Sequence, residues 1–238
     1  MYSVASAAAA PAFDVAALAL CRGLGPQATS RIATVGTRQH LSAGKTLFAE
    51  GDPAENIYEV IRGTLRLCKL MPDGRRQITG FLSAGHLLGV SHGDLHLYTA
   101  EAITAVTLCR YPRARFDRLL DEVPGFARRL LAVTSDELRS AQDQMLLLGR
   151  KTAVEKIASF LLTMAERQRA GDEACEIQIP MGRADIADYL GLTVETVSRT
   201  LTTLKRDGFI AIPTPVRLVL RDRKGLEKLA AGEAGTES

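Results

Sequence analysis

Arg183-Ala184-Asp185-Ile186-Ala187-Asp188-Tyr189-Leu190, then Gly191-Leu192-Thr193, then Val194-Glu195-Thr196-Val197-Ser198-Arg199 is the stretch on which the fold turns. Its first eight residues read as a short helix, and Val194 to Asp207 reads as a second helix stopped by Gly208. A tight turn between two such helices makes a helix-turn-helix. Gly191 suits the left-handed backbone of the turn, Ala187 is small where the helices cross, and Thr193 is a natural N-cap. Ile186, Leu190, Leu192, Val197 and Leu201 are expected to pack between the helices. Beyond Gly208, the strand-like segments Phe209 to Ile212 and Arg217 to Leu220 flank Pro213-Thr214-Pro215, the pattern of a wing.

A recognition helix puts its first turns into the major groove, so base-reading side chains sit early and away from the packed face. Glu195, Ser198 and Arg199 meet both conditions, being three and four residues apart and off the Val197/Leu201 face. Arginine can pair bidentately with guanine, glutamate can accept from the amino group of cytosine, and serine can contact either kind of edge. Arg183, Thr193, Thr196, Thr200, Lys205, Arg206 and Arg217, with Arg221, are then candidates for phosphate contacts. The competing reading is a solvated helix face closed by a Glu195 to Arg199 ion pair at i, i+4.

Working outward, Leu41 to about Pro112 is written in short strands, with turn clusters such as Ser42-Ala43-Gly44 and Ser83-Ala84-Gly85 recurring about every ten residues. The spacing predicts a small antiparallel sandwich or barrel, with Met71-Pro72-Asp73-Gly74-Arg75 as its clearest hairpin turn. After Pro112 the pattern becomes helical. Ala127, Leu131, Thr134, Leu138, Ala141, Met145 and Leu148 then step by 4, 3, 4, 3, 4, 3. A seam that narrow suits a partner helix in a coiled-coil dimer; the alternative is that it packs on the chain's own barrel. Two further helices and a short apolar strand around Cys175 to Pro180 are expected after Lys151.

The 238 residues divide into an N-terminal extension over 1–20 expected to be disordered, a barrel over 21–122, a dimerisation helix over 123–149 and a winged helix-turn-helix over 150–238. The fold class is α+β. A hydrophobic share of 46% supports a real core, and no apolar run reaches the roughly 18 residues needed to cross a bilayer. The Ala-rich N-terminus has no Lys or Arg before its apolar stretch, so a secretory signal is not expected, and the expected compartment is cytoplasmic, with no membrane partner. The net charge of +3 argues only weakly for nucleic acid, which leaves that case to the local motif. Cys21, Cys68, Cys109 and Cys175 are too widely spaced for a zinc or disulfide framework.

The segment from Arg183 to Arg199 resembles the DNA-binding signature of the CRP/FNR superfamily, and its Glu-x-x-Ser-Arg core resembles the FNR and FixK branch. Leu41-Ser-Ala-Gly-Lys-Thr-Leu-Phe-Ala-Glu-Gly-Asp, Ile57-Tyr58, Arg62-Gly63 and Phe81-Leu-x-x-Gly85 are similar to its cyclic-nucleotide-binding barrel, a jelly roll. The resemblance implies a homodimeric transcription regulator, an activator of low-oxygen respiration genes that works with double-stranded DNA and RNA polymerase and is not an enzyme. It further implies that Glu195, Ser198 and Arg199 read a TTGAT-like half-site repeated as an inverted palindrome.

Members of that family that bind cyclic AMP use a Gly-Glu pair and an Arg-Ser or Arg-Thr pair; here Gly89 precedes Val90, and Tyr98 stands before Thr99. Without the arginine a buried phosphate lacks its cationic fork, so cyclic nucleotide is not expected. Iron-sulfur members hold their cluster with four cysteines, of which only Cys21 and Cys109 have counterparts. The expectation is a regulator with no cofactor and no metal. Two alternatives stand beside it. A haem- or other ligand-gated sensor could use His86, His92 or His96, and a cupin-type enzyme would need a His/Glu constellation that the sequence does not supply. Cys175, among Asp172, Glu173 and Glu176, is expected to be an unreactive thiol rather than a redox handle.

Overall fold

The computed structural model describes residues 18–90, 93–168 and 175–233. After a 3-10 turn at Ala19–Cys21 come helix α1 (Pro26–Val35) and eight strands: β1 (Thr37–Leu41), β2 (Thr46–Phe48), β3 (Asn56–Arg62), β4 (Leu65–Leu70), β5 (Arg76–Leu82), β6 (Leu87–Leu88), β7 (Thr99–Ala102) and β8 (Val106–Pro112). They form two antiparallel four-stranded sheets, ordered β1-β8-β3-β6 and β2-β7-β4-β5. Phe48, Val60, Leu65, Leu82, Val106 and Leu108 fill the space between them. Alternating strands of this kind bury one face each, which is why the period-two pattern was visible.

The β4–β5 hairpin closes at Met71 to Arg75, where the Met71 N–H donates to the Arg75 carbonyl at 2.8 Å and Gly74 takes a positive φ. At Gly63, in the connection from β3 to β4, φ is +93° and a Cβ would run into the Ala105 carbonyl, so no other residue fits there without strain.

The expected extension over residues 1–20 overlaps the fold at its end. Leu18, Ala19 and Leu20 are buried, packed with Ile32, Ile57, Tyr111 and Phe116, so the barrel domain begins before residue 21. The rest of that extension, 1–17, lies outside the described residues. The N-terminal turn is held by Glu59, a fully buried carboxylate on β3 that accepts from the Ala19 N–H, and by Arg129, whose Nε donates to the Ala19 carbonyl at 2.6 Å. Burial outweighs the hydrogen bonds that the Ala19 and Leu20 backbone give this carboxylate and pushes Glu59 up to about 7.

Helix α2 (Arg113–Glu122) starts directly after Pro112, and Gly125, left-handed at φ +81°, separates it from the 25-residue helix α3 (Phe126–Arg150). Phe126, Val133 and Leu147 turn one face of α3 into the protein. The opposite stripe is bare: Leu131, Leu138 and Met145 are 67%, 61% and 70% exposed. Ala127 and Ala141 are exposed too, Thr134 and Leu148 less so. The seam therefore does not pack on the chain's own barrel.

The C-terminal part begins with α4 (Ala153–Arg167), opened by a capping box in which Thr152 and Glu155 satisfy each other's backbone N–H groups. One helix, not the two expected, precedes β9 (Cys175–Gln178) among the described residues. Then follow α5 (Arg183–Leu190), α6 (Val194–Arg206), β10 (Ile210–Thr214), β11 (Arg217–Leu220) and α7 (Arg223–Ala231), with strand order β10-β11-β9. The wing turn lies at Pro215-Val216 rather than Pro213 to Pro215, because Thr214 pairs with Arg217 and the irregularity at Ile212-Pro213 absorbs the proline. Ile157, Leu161, Ile177, Ile186, Leu190, Val197, Leu201 and Leu218 share one core, which also takes in Cys68, Ile78 and Phe81 from the barrel. No helix of the described residues is long and apolar enough to cross a membrane.

Candidate nucleic-acid interface

The α5–α6 unit is built as its residues require. Gly191 caps α5 in the left-handed region (φ 62°, ψ 43°), Leu192 N–H donates to the Ala187 carbonyl at 3.0 Å, and Ala187 is buried at the crossing. Thr193 is the N-cap of α6, its hydroxyl accepting from the Thr196 N–H at 3.2 Å. Ile186, Leu190, Val197 and Leu201 are buried and Leu192 half-buried. Facing the other way, Glu195, Ser198 and Arg199 are all exposed. The ion pair that would have made this a self-satisfied surface does not form: Glu195 and Arg199 have no salt-bridge partner among the described residues. Three groups able to read base edges thus stand together without protein partners in the first turns of the helix.

The phosphate candidates fare unequally. Thr200, expected on the phosphates, is instead only 6% exposed: three residues after Val197 and four before Leu204, it falls on the buried stripe of α6 and does not stand open to a phosphate. The face passes instead through Thr202, exposed and anchored to the Ser198 carbonyl at 2.9 Å, a residue the sequence reading missed although it stands four positions beyond Ser198. Thr193 and Thr196 share a hydroxyl contact at 3.0 Å in the cap. Lys205 is exposed and without an ion pair among the described residues. Arg206 pairs with Asp207 at 2.8 Å, and Arg217 is held bidentately by Glu176 at 2.8 and 2.5 Å. Arg183, half-buried at the start of α5, has its guanidinium pK lowered by desolvation.

In the barrel a cavity of about 250 Å³ lies between the sheets and α3. Its walls are Phe48, Leu82, Leu88, Leu97 and Tyr98, with Val133 and Glu137 from α3. No arginine or lysine lines it, and the one ionisable acid is Glu137, pushed up by burial, so these residues do not fit a cyclic phosphate. The histidines do not converge. His96 is stacked on Phe48 at 3.5 Å and borders this cavity. His86 borders a different depression, its Nδ1 3.0 Å from the Ser83 carbonyl, and burial beside Arg167 holds it down at about 4. His92 lies outside the described residues.

Cys21 and Cys109 are neighbours in one apolar cluster with Glu59 and Tyr111, while Cys68 and Cys175 belong to another core. Burial pushes Cys21 to about 12 and Cys109 to about 11, with the nearby Glu59 carboxylate acting in the same direction. Two thiols so far from ionisation do not fit a four-iron cluster, which needs four thiolates. Cys175 is buried, in line with an inert thiol, although Asp172 and Glu173 lie outside the described residues.

Residues 38–123 match the cyclic nucleotide-binding domain model and residues 155–229 the Crp-like helix-turn-helix domain model. The chain is 47% identical to the nitrogen fixation regulation protein FixK of Bradyrhizobium diazoefficiens, over 82% of each chain. The chain belongs to the CRP/FNR family. It is 42% identical to the transcriptional activatory protein AadR of Rhodopseudomonas palustris over 91% of each. The structure of FixK2 from Bradyrhizobium japonicum superposes with a TM-score of 0.75 at 40% identity, covering 82% of this chain and 97% of that one. The protein is therefore a FixK-like, DNA-binding transcription activator of the CRP/FNR family and not an enzyme.

Proposed function

We propose that this CRP/FNR protein is a homodimeric activator of genes for low-oxygen respiration that reads an inverted TTGAT-like palindrome without cyclic AMP or an iron-sulfur cluster. The observation that carries the reading is the unpaired, exposed triplet Glu195, Ser198 and Arg199 on the outer face of α6. Arg199 would take the guanine of the half-site, Glu195 the opposite cytosine amino group and Ser198 a neighbouring edge. Arg183, Thr193, Thr196, Lys205, Arg206 and Arg217 would steady the helix on the phosphates. Two half-sites need two recognition helices, and the bare stripe on α3 through Leu131, Leu138 and Met145 supports a second copy of the chain as its cover. Activation would then bring RNA polymerase to the promoter, which places the protein in the cytoplasm with the DNA.

Because neither the cavity nor the thiols fit the effectors known for such barrels, the DNA-binding form would be populated without a ligand, and control would rest on how much protein is made. The test is operator binding by protein purified with and without air, and with and without cyclic AMP. Equal affinities are expected, and discrimination against a guanine-substituted half-site. A tenfold gain with cyclic AMP or after anaerobic iron-sulfur reconstitution would overturn the effector-free reading. A second reading, gating by an uncharged ligand, draws on the apolar cavity beside α3. A Soret band in the purified protein would favour its haem form.

A further inference from the structure

The helix-turn-helix is not hinged loosely to the barrel. Helix α5 presents Ile186, Ala187 and Leu190 to the core it shares with α6, and Asp185, Asp188 and Tyr189 to the barrel. On the barrel side, Arg66 of β4 and Arg76 of β5 receive it. Arg66 Nη1 donates to both oxygens of Asp185 at 2.8 and 2.9 Å while its Nε is held by Glu101 at 2.8 Å. Arg76 bridges the two aspartates, with Nη2 2.7 Å from Asp185 and Nε 2.9 Å from Asp188. Gln77 Nε2 adds a bond to the Asp188 carbonyl at 2.6 Å. Beside these ion pairs, Phe81 of the barrel packs on Tyr189 at 4.9 Å, and Gln144 of α3 donates to the Tyr189 carbonyl at 3.0 Å.

We propose that Arg66 and Arg76 are positioning residues for DNA binding: by clamping Asp185 and Asp188 they fix the angle of the helix-turn-helix on the barrel and α3, setting the reach of the recognition helix without a ligand. The inference rests on the effector-free, dimeric reading above. Three observations point to a clamp that favours binding and not one that blocks it. The reading face of α6 is exposed in the same arrangement in which the clamp is closed. All five charged partners are partly shielded, Asp185 most of all, so the pairs act in a lower dielectric and are screened less by salt than surface pairs. And the network is a shared one, with Asp185 accepting from two arginines of different strands, which sets an orientation where a single pair would leave a swivel.

The test separates positioning from bulk charge, because the two give opposite signs. Asp188→Arg removes a negative charge and adds a positive one, so if charge alone mattered, operator affinity would rise. The clamp predicts a fall, on the order of tenfold, the scale of a typical coupling between sites. Combining it with Arg76→Asp, which re-forms the pair with its polarity reversed, is expected to recover part of that loss, since Asp185 then keeps only Arg66 and meets a new carboxylate; Arg76→Asp alone also weakens binding. Each protein is titrated with the TTGAT palindrome and with an operator whose spacer is one base pair longer. The clamped parent should reject the long spacer, and Asp188→Arg should reject it less. Asp188→Asn serves as the milder variant should Asp188→Arg not fold, with the same two signs. Asp188→Arg or Asp188→Asn binding as tightly as the parent with an unchanged spacer penalty would overturn the clamp. A parent that fails to bind the palindrome at all would instead overturn the reading on which it rests.

Discussion

The outer face of α6 and the interior of the barrel handle polar groups in opposite ways. On α6, Glu195, Ser198, Arg199 and Lys205 stand in solvent without ion-pair partners among the described residues. In the barrel, Glu59, His86, Cys21 and Cys109 are drawn into apolar surroundings and each is pushed toward its neutral form. An ionised side chain left unpaired at a surface loses little by waiting for a partner, whereas one buried without a counter-charge costs several kcal/mol and loses its charge instead. The difference teaches which half of the chain receives a charged ligand. On the reading proposed above, phosphates and base edges would go to α6, with the barrel as the scaffold that positions it.

The largest effect should come from the part that joins the two. Each Leu138 removed from a coiled-coil seam forfeits roughly 1.5 to 3 kcal/mol of burial, and Leu138→Glu also sets two carboxylates face to face. Leu138→Glu and Met145→Glu are expected to sediment as monomers and to lose palindrome binding with the dimer, because half-sites one turn apart need two recognition helices. An intact dimer in both variants would leave the bare stripe on α3 without its proposed cover.

Next in size is the loss of Arg199. Arg199→Ala should cost roughly 1 to 3 kcal/mol per half-site and flatten the preference for guanine there. Unchanged discrimination between the TTGAT palindrome and a guanine-substituted one in a binding titration would remove α6 as the reader.

Much of this was legible in advance, and the reasons are local. The outward stripe of Leu131, Leu138 and Met145 on α3 and the Gly191 turn follow from spacing and backbone allowance alone, and both describe what one element needs of itself. Thr200 was misplaced because a helical step of one residue past Arg199 separates solvent from core, and threonine is at home in either. The clamp was invisible for a different reason. Arg66 and Asp185 lie 119 positions apart, and nothing in Asp185 or Asp188 distinguishes an aspartate facing a sheet from one facing water. Likewise the proximity of Cys21 to Cys109 and Glu59 is a product of tertiary folding, which counting ligands along the sequence does not reveal.

The neutral interior makes a pH prediction whose two halves oppose each other. Glu59 titrates at about 7 in the fold against 4.5 unfolded, so the folded state binds the extra proton and stability falls as pH rises from about 4.5 to about 7. His86 titrates at about 4 against 6.5, so the unfolded state binds the extra proton and stability falls as pH drops from about 6.5 to about 4. Each contribution is at most about 3 kcal/mol, and over the shared window they largely offset. Glu59→Gln should therefore expose the loss on acidification, and His86→Gln the loss on alkalinisation, in urea midpoints taken at several pH values. Variants that track the parent at every pH would show that neither group is held neutral.

The smallest effect distinguishes cations that are free from cations already engaged. A phosphate contact releases condensed counterions, so losing one per subunit lowers the slope of log affinity against log salt by about 1 for each of the two half-sites. Lys205, exposed and unpaired, has nothing to give up on meeting a phosphate, and Lys205→Ala should weaken specific and random duplexes alike while reducing that slope. Arg217 holds Glu176 bidentately and keeps its carboxyl below the usual range, so it must break that pair before it can bind a phosphate. Arg217→Gln should accordingly change the slope less than Lys205→Ala, and Glu176→Gln, which frees the guanidinium, should raise affinity for any duplex. If Arg217→Gln moved the salt slope as much as Lys205→Ala, Arg217 would reach its phosphate as readily as an unpaired cation in spite of its carboxylate, and the division between free and engaged cations would fail at that point.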